Sequence, residues 1–126
     1  MCLWTTFSPD ATVIASVVTE RGTNLWSAAD GTLLRTMPMS YSPWLEFDRT
    51  GNSFLTASDE LSVARLWDIH DGRLIRTLVG HSGRVDVARF SPDHDLNVTA
   101  SRDHTVRIWV ATPGSSRWRF RSAPGW

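Results

Sequence analysis

The sequence predicts an all-β chain in which one small antiparallel sheet is repeated three times. Trp26, Trp67 and Trp109 recur at gaps of 41 and 42 residues, and a glycine follows each by five positions, at Gly31, Gly72 and Gly114. A Phe-centred turn precedes each tryptophan: Phe7-Ser-Pro-Asp10, Phe47-Asp-Arg-Thr-Gly51 and Phe90-Ser-Pro-Asp93. No apolar pattern holds a helical period over about 11 residues. Short runs containing β-branched residues lie instead between Pro, Gly, Asp and Ser, the punctuation that tight β connections require.

Taken in order, Cys2–Phe7 opens the first unit and Thr12–Val18 follows its turn. Asn24–Trp26 leads into the first marker tryptophan, and Leu33–Met37 follows an Asp-Gly turn. The second unit repeats this plan with Ser53–Ser58, Val63–Trp67 and Leu74–Leu78. Asp30-Gly-Thr-Leu-Leu-Arg-Thr-Met37 and Asp71-Gly-Arg-Leu-Ile-Arg-Thr-Leu78 agree almost residue by residue. In the third unit an alternating apolar run precedes Phe90, and Asn97–Ser101 and Thr105–Trp109 follow. An outer strand over Ser116–Arg121 closes that unit.

A length of 126 residues suits one modest domain. Apolar residues are 41% and charged residues 21%, the composition of a globular chain. Acids and bases balance at 13 each, which weighs against a general attraction to nucleic acid or membranes. Every base is Arg, with no Lys and no Gln, which reads as a genome-composition signature rather than chemistry. Cys2 is the only cysteine, so no internal disulfide forms. No window reaches the roughly 18 apolar residues of a membrane span. The N-terminal stretch lacks a basic region and contains Pro9 and Asp10, against a signal peptide. The expected compartment is the cytoplasm, with no cofactor.

A four-stranded unit repeating at about 40–45 residues, marked by Gly-His and Trp-Asp, is characteristic of one propeller blade. Here Gly80-His81, Trp67-Asp68 and Phe90-Ser-Pro-Asp93 stand at those marks. The sequence resembles the WD40-repeat family from about Trp4 to Phe120. That resemblance implies four-stranded antiparallel β-propeller blades, about three of them, in an open or partial propeller. Blade one would cover 1–38, blade two 39–79 and blade three 80–121, with 122–126 a loose tail.

The resemblance also implies a buried hydrogen-bonded tetrad of His81, Ser101, Asp103 and Trp109. A sheet covered on both faces leaves little water at its middle. A buried indole N–H then needs an acceptor, and a buried carboxylate needs donors. The other units depart from this pattern. Glu20 replaces the Asp in unit one, and Met39-Ser40-Tyr41 replaces Gly-His in unit two. Those units are expected to rest on apolar stacking of Trp4, Phe7, Trp44, Phe47, Trp26 and Trp67.

Ser101, His81 and Asp103 also compose a nominal hydrolase triad. A nucleophile elbow would need Gly at position 84, where Arg84 stands, and strand–turn–helix context is missing. His94 lies between Asp93 and Asp95, but no second His or Cys stands at ligand spacing; no metal site is expected. His70 and His104 read as turn residues. Arg117-Trp-Arg-Phe-Arg121 alternates cation and aromatic, a pattern of single-strand nucleic-acid binders. An edge strand with Arg117, Arg119 and Arg121 facing water is the favoured reading.

The resemblance implies a non-enzymatic protein–protein interaction scaffold. Its contact face would hold Tyr41, Asp59, Glu60, Arg84, Arg102 and His104. Propellers close with about 4–8 blades, so three leave two sheet faces uncovered. The expected resolution is a fragment of a larger propeller; the alternatives are two chains completing one ring, or blades lent to another protein's propeller.

Overall fold

The computed structural model describes residues 2–18, 22–37, 44–57, 62–91, 96–111 and 118–124. They form three four-stranded antiparallel sheets and no helix. Sheet one is β1 (Cys2–Phe7), β2 (Val13–Val18), β3 (Gly22–Ser27) and β4 (Leu33–Met37), adjacent in chain order. Sheet two is β5 (Trp44–Phe47), β6 (Ser53–Ala57), β7 (Ala64–Asp68) and β8 (Leu74–Leu78). Sheet three is β9 (Val85–Phe90), β10 (Leu96–Ser101), β11 (Thr105–Ala111) and β12 (Trp118–Pro124). The strands β1, β5 and β9 lie on the same side of their sheets and approach one another, so the sheets stack like blades.

The turns follow from aspartate chemistry. Asp10 accepts from the Thr12 backbone N–H at 3.0 Å, and Asp30 does the same for Thr32 at 3.0 Å. Each carboxylate thus replaces a backbone acceptor three residues before the next strand. Gly31 and Gly72 adopt φ of 74° and 73°, the left-handed region that an L side chain resists. This is why Asp-Gly recurs between the third and fourth strands of units one and two.

Strand alternation gives each sheet two faces. Ala15, Val17, Leu25 and Met37 of sheet one pack against Leu45, Phe47, Phe54 and Trp67 of sheet two. On the reverse of sheet two, Leu55, Ala57, Ala64 and Leu78 pack against Val85, Ala88 and Trp109 of sheet three. Sheet two is covered on both sides, and every residue of β6 is buried. Ring contacts support the same stack. Trp4 lies 5.4 Å from Trp44 between centroids, and the Trp44 indole N–H donates to the Ala88 carbonyl at 2.7 Å.

One expected boundary shifts. Among the described residues the outer strand of the third unit, expected over Ser116–Arg121, runs over Trp118–Pro124, and Ser116 and Arg117 lie outside the described residues. Ser122, Ala123 and Pro124, assigned to the tail, stand opposite Arg107, Val106 and Thr105. The long β11 offers backbone partners that far, and a proline is tolerated at a strand's end on a sheet edge.

Candidate functional site

The best-tied part of the molecule joins the loop before β9 to the turn between β10 and β11. His81 is held from both ring nitrogens. Its Nδ1 lies 2.8 Å from Asp103 Oδ2 and its Nε2 lies 2.6 Å from Thr99 Oγ1. The Trp109 indole N–H donates to the same Thr99 oxygen at 2.9 Å. One directional relay accounts for the protons: indole N–H to Thr99, Thr99 hydroxyl to His81 Nε2, and His81 Nδ1–H to Asp103. The His81 side chain is fully enclosed and that of Asp103 nearly so.

The hydroxyl of this network is Thr99 and not the expected Ser101. Trp109 stands opposite Asn97, and Thr99 is its diagonal neighbour on the same face of the sheet. Ser101 lies two residues further, past a register shift between Ala100 and Ser101. It serves the turn instead, donating to the Gly83 carbonyl at 2.9 Å and accepting from the Asp103 N–H at 3.1 Å.

The same diagonal recurs in the other sheets. Trp26 donates to Ser16 at 2.9 Å, and Trp67 donates to Thr56 at 3.0 Å. Units one and two therefore keep a polar tie that the expectation of apolar stacking alone omits. The available signal was a hydroxyl ten or eleven positions before each marker tryptophan: Ser16, Thr56 and Thr99.

Asp103 is the acceptor hub. Burial raises its pKa, but bonds from the Thr105 hydroxyl, from His81 and from the backbone N–H groups of Ser82 and Thr105 outweigh that effect. The carboxyl is held well below its ordinary value of 3.8. Loop and turn are joined again by the Arg102 N–H, which donates to the Arg84 carbonyl at 2.8 Å.

Gly83 allows this approach. A Cβ there would lie 2.9 Å from the Asp103 backbone nitrogen, with only backbone to yield. Gly83→Ala is expected to cost about 1–3 kcal/mol through forced separation of loop and turn. A thermal-melt midpoint equal to that of the natural chain would show that the two segments part freely.

Above this anchor lie the charged candidates. Asp86 sits between two cations, 3.1 Å from Arg84 Nε and 3.3 Å from Arg102 Nε. Arg102 is exposed, and so is His104, which adopts φ of 70° at the turn. Arg84 and Arg102 are thus brought together with Asp86, which sequence reasoning did not single out, and His104 lies in the turn two residues beyond Arg102. Tyr41, Asp59, Glu60, His94 and Arg117 lie outside the described residues. The backbones of Arg119 and Arg121 pair with Val110 and Ile108 in β12.

The nominal hydrolase triad is not assembled. Ser101 bonds to Gly83, while both imidazole nitrogens of His81 engage Thr99 and Asp103. Among the described residues no cluster of three or more His, Cys, Asp or Glu side chains could hold a metal ion. No helix of the described residues is long and apolar enough to cross a membrane.

Comparison with known proteins converges on one repeat. The family described as "WD domain, G-beta repeat" matches residues 72–110, which contain the His81–Asp103–Thr99–Trp109 network. A bromodomain and WD repeat-containing protein of Dictyostelium discoideum is 42% identical over 65 residues, covering 52% of this chain and 3% of the relative. Nuclear distribution protein nudF 1 of Talaromyces marneffei is 31% identical over 125 residues, covering 95% of this chain and 27% of the relative. Autophagy-related protein 16 of Arabidopsis thaliana is 31% identical over 94 residues, covering 71% of this chain and 18% of the relative. The chain therefore spans about a quarter or less of the length of these curated relatives.

Proposed function

Because the chain belongs to the WD40-repeat family, we propose that it is a non-enzymatic protein-interaction scaffold, with its contact face at the tied loop and turn of sheet three. The observation that carries this reading is the enclosed network under Arg84, Arg102 and His104. Such an anchor fixes the backbone below those side chains before a partner arrives, so little ordering remains to be done on binding. Arginine suits the role, since its planar fork makes several directed bonds and it is enriched at interface hot spots. A reducing compartment such as the cytoplasm agrees with the lone Cys2.

The test is site-directed photocrosslinking in cells. A photoreactive side chain at Arg102 is expected to capture a polypeptide of defined mass, and one at Asp30, in the β3–β4 turn of sheet one, is not. Arg84→Ala should abolish the Arg102 adduct while far-ultraviolet circular dichroism shows the strands retained. Equal capture from both positions would remove this face from consideration.

The same reading makes the three sheets a partial propeller, a fragment of a larger ring. Support comes from equivalent positions. Phe7, Phe47 and Phe90 occupy one repeat position, yet Phe7 is 59% exposed whereas Phe47 is 8% exposed. The residue is the same; the cover is missing.

A further inference from the structure

We infer that a slot between sheets one and two binds a small aliphatic carboxylate, its apolar body among Val13, Leu25, Leu34 and Ile69 and its charged head on Arg35. The slot has a volume of about 230 Å³ and is lined by those residues and His70. It lies at the end of the sheets that carries the β3–β4 and β7–β8 turns, opposite to the end with the tied loop and turn. The site is therefore separate from the contact face proposed above and does not rest on it. Both walls belong to sheets that already pack on each other within the chain.

Sheet one supplies one wall from the face it turns to sheet two. Leu25 is buried there, and Val13 packs against the same apolar cluster. Arg35 stands opposite Leu25 in the β3–β4 pairing, which puts its stem on that face as well. Sheet two supplies Ile69, also packed against the cluster, and His70 in the β7–β8 turn. Leu34, 56% exposed, is the most open of the lining side chains of sheet one.

The cation is set in place before any ligand arrives. Arg35 Nη2–H donates to the His70 carbonyl at 2.9 Å. His70 is itself fixed: its backbone N–H donates to Asp68 Oδ1 at 2.8 Å, and its ring Nε2 lies 2.9 Å from Asn52 Oδ1. Gly72 leaves room for the Arg35 side chain. A Cβ there would lie 3.1 Å from Arg35 Nη1 and 3.2 Å from its Cδ.

The bond to His70 uses one of several guanidinium donors. Among the described residues no carboxylate pairs with Arg35. The acids of the adjacent turn are engaged by the turn's own backbone, Asp68 by the His70 N–H and Asp71 by the Arg73 N–H. A cation with donors to spare, beside apolar walls, complements a carboxylate, which accepts two parallel bonds from one guanidinium. Inorganic phosphate would meet the cation but leave the walls uncovered. Size narrows the class further. Pockets for drug-sized ligands hold about 300–1,000 Å³, so this slot suits a short branched chain rather than a nucleotide.

Isovalerate, an isobutyl group bearing a carboxylate, is the probe, titrated into the 126-residue chain and followed by two-dimensional NMR. Saturable shifts are expected at the Arg35 Nε–H and at the Ile69 and His70 amides, with none at Ser82 or Arg102. Isovaleramide has the same shape without the charge and should bind about tenfold more weakly or worse, because hydrogen bonds to charged groups are the stronger ones. Acetate keeps the charge without the isobutyl group and should also bind more weakly. Arg35→Gln should remove the advantage of acid over amide while far-ultraviolet circular dichroism shows the strands retained. Equal binding of acid and amide to the natural chain would overturn the inference, whether or not the variant folds. So would isovalerate shifts that never saturate, or that fall away from the slot. Those outcomes leave the protein-interaction reading, which is tested at Arg102, untouched.

Discussion

Trp109→Ala is expected to lower the unfolding free energy by about 3–5 kcal/mol, the usual cost of deleting a large aromatic ring from a close-packed core. Trp109 is 3% exposed and packs among Leu55, Leu78, Val85 and Ala88 between sheets two and three. Its loss opens a cavity and also leaves the Thr99 hydroxyl without its indole donor. The measurement is a urea denaturation midpoint at unchanged slope. Trp26→Ala provides the contrast, because Trp26 holds the same repeat position on the uncovered face of sheet one. It should cost less than half as much. Equal costs at the two positions would contradict the assignment of covered and uncovered faces.

His81→Ala is expected to cost about 3 kcal/mol, because removing one partner of an enclosed network leaves the others unsatisfied. Thr99 loses its acceptor and the Asp103 carboxylate loses a donor within the same enclosed space. Ser101→Ala removes one turn bond and should cost about 1 kcal/mol. That order, His81 far above Ser101, separates the observed network from one running through Ser101. An effect of Ser101→Ala equal to that of His81→Ala would return Ser101 to the centre.

Asp103 adds a dependence on pH with a definite sign. Its carboxyl has a lower pKa folded than unfolded. The unfolded chain therefore binds the proton more readily, and stability falls with falling pH. The contribution is complete above the ordinary value of 3.8 and is lost as pH drops towards the depressed native value. Asp10, Asp30 and Asp48 are also held low by their turn bonds, so acid weakens several sites together. The Asp103 share is isolated by Asp103→Asn, whose stability should depend less steeply on pH below 4 than that of the natural chain. Parallel curves for the two proteins would deny Asp103 its role as acceptor hub.

The fold was legible because its signals are local. Trp spacing, Asp-Gly turns and β-branched runs each act within a few residues, and a threefold repeat tests every one against two others. The site was legible in part. His81, Asp103 and Trp109 share one hydrogen-bonded network, and its hydroxyl is that of Thr99 rather than Ser101. The choice between two hydroxyls two residues apart on one strand depends on which lies diagonal to Trp109 across the sheet. That relation is set by the β10–β11 register and by the shift at Ala100/Ser101. Asp86 escaped notice for a similar reason. It is an ordinary acid in a strand until folding places it between Arg84 and Arg102.

By itself, the sequence determined that this protein is a threefold repeat of small antiparallel sheets, since hydrophobic alternation and turn chemistry need only near neighbours. Only the tertiary structure decided which hydroxyl joins the network, which cations share Asp86, and which sheet faces stay uncovered. Those outcomes depend on pairing register and on sheet stacking, and both bring together residues whose separation in the chain says little about their separation in space.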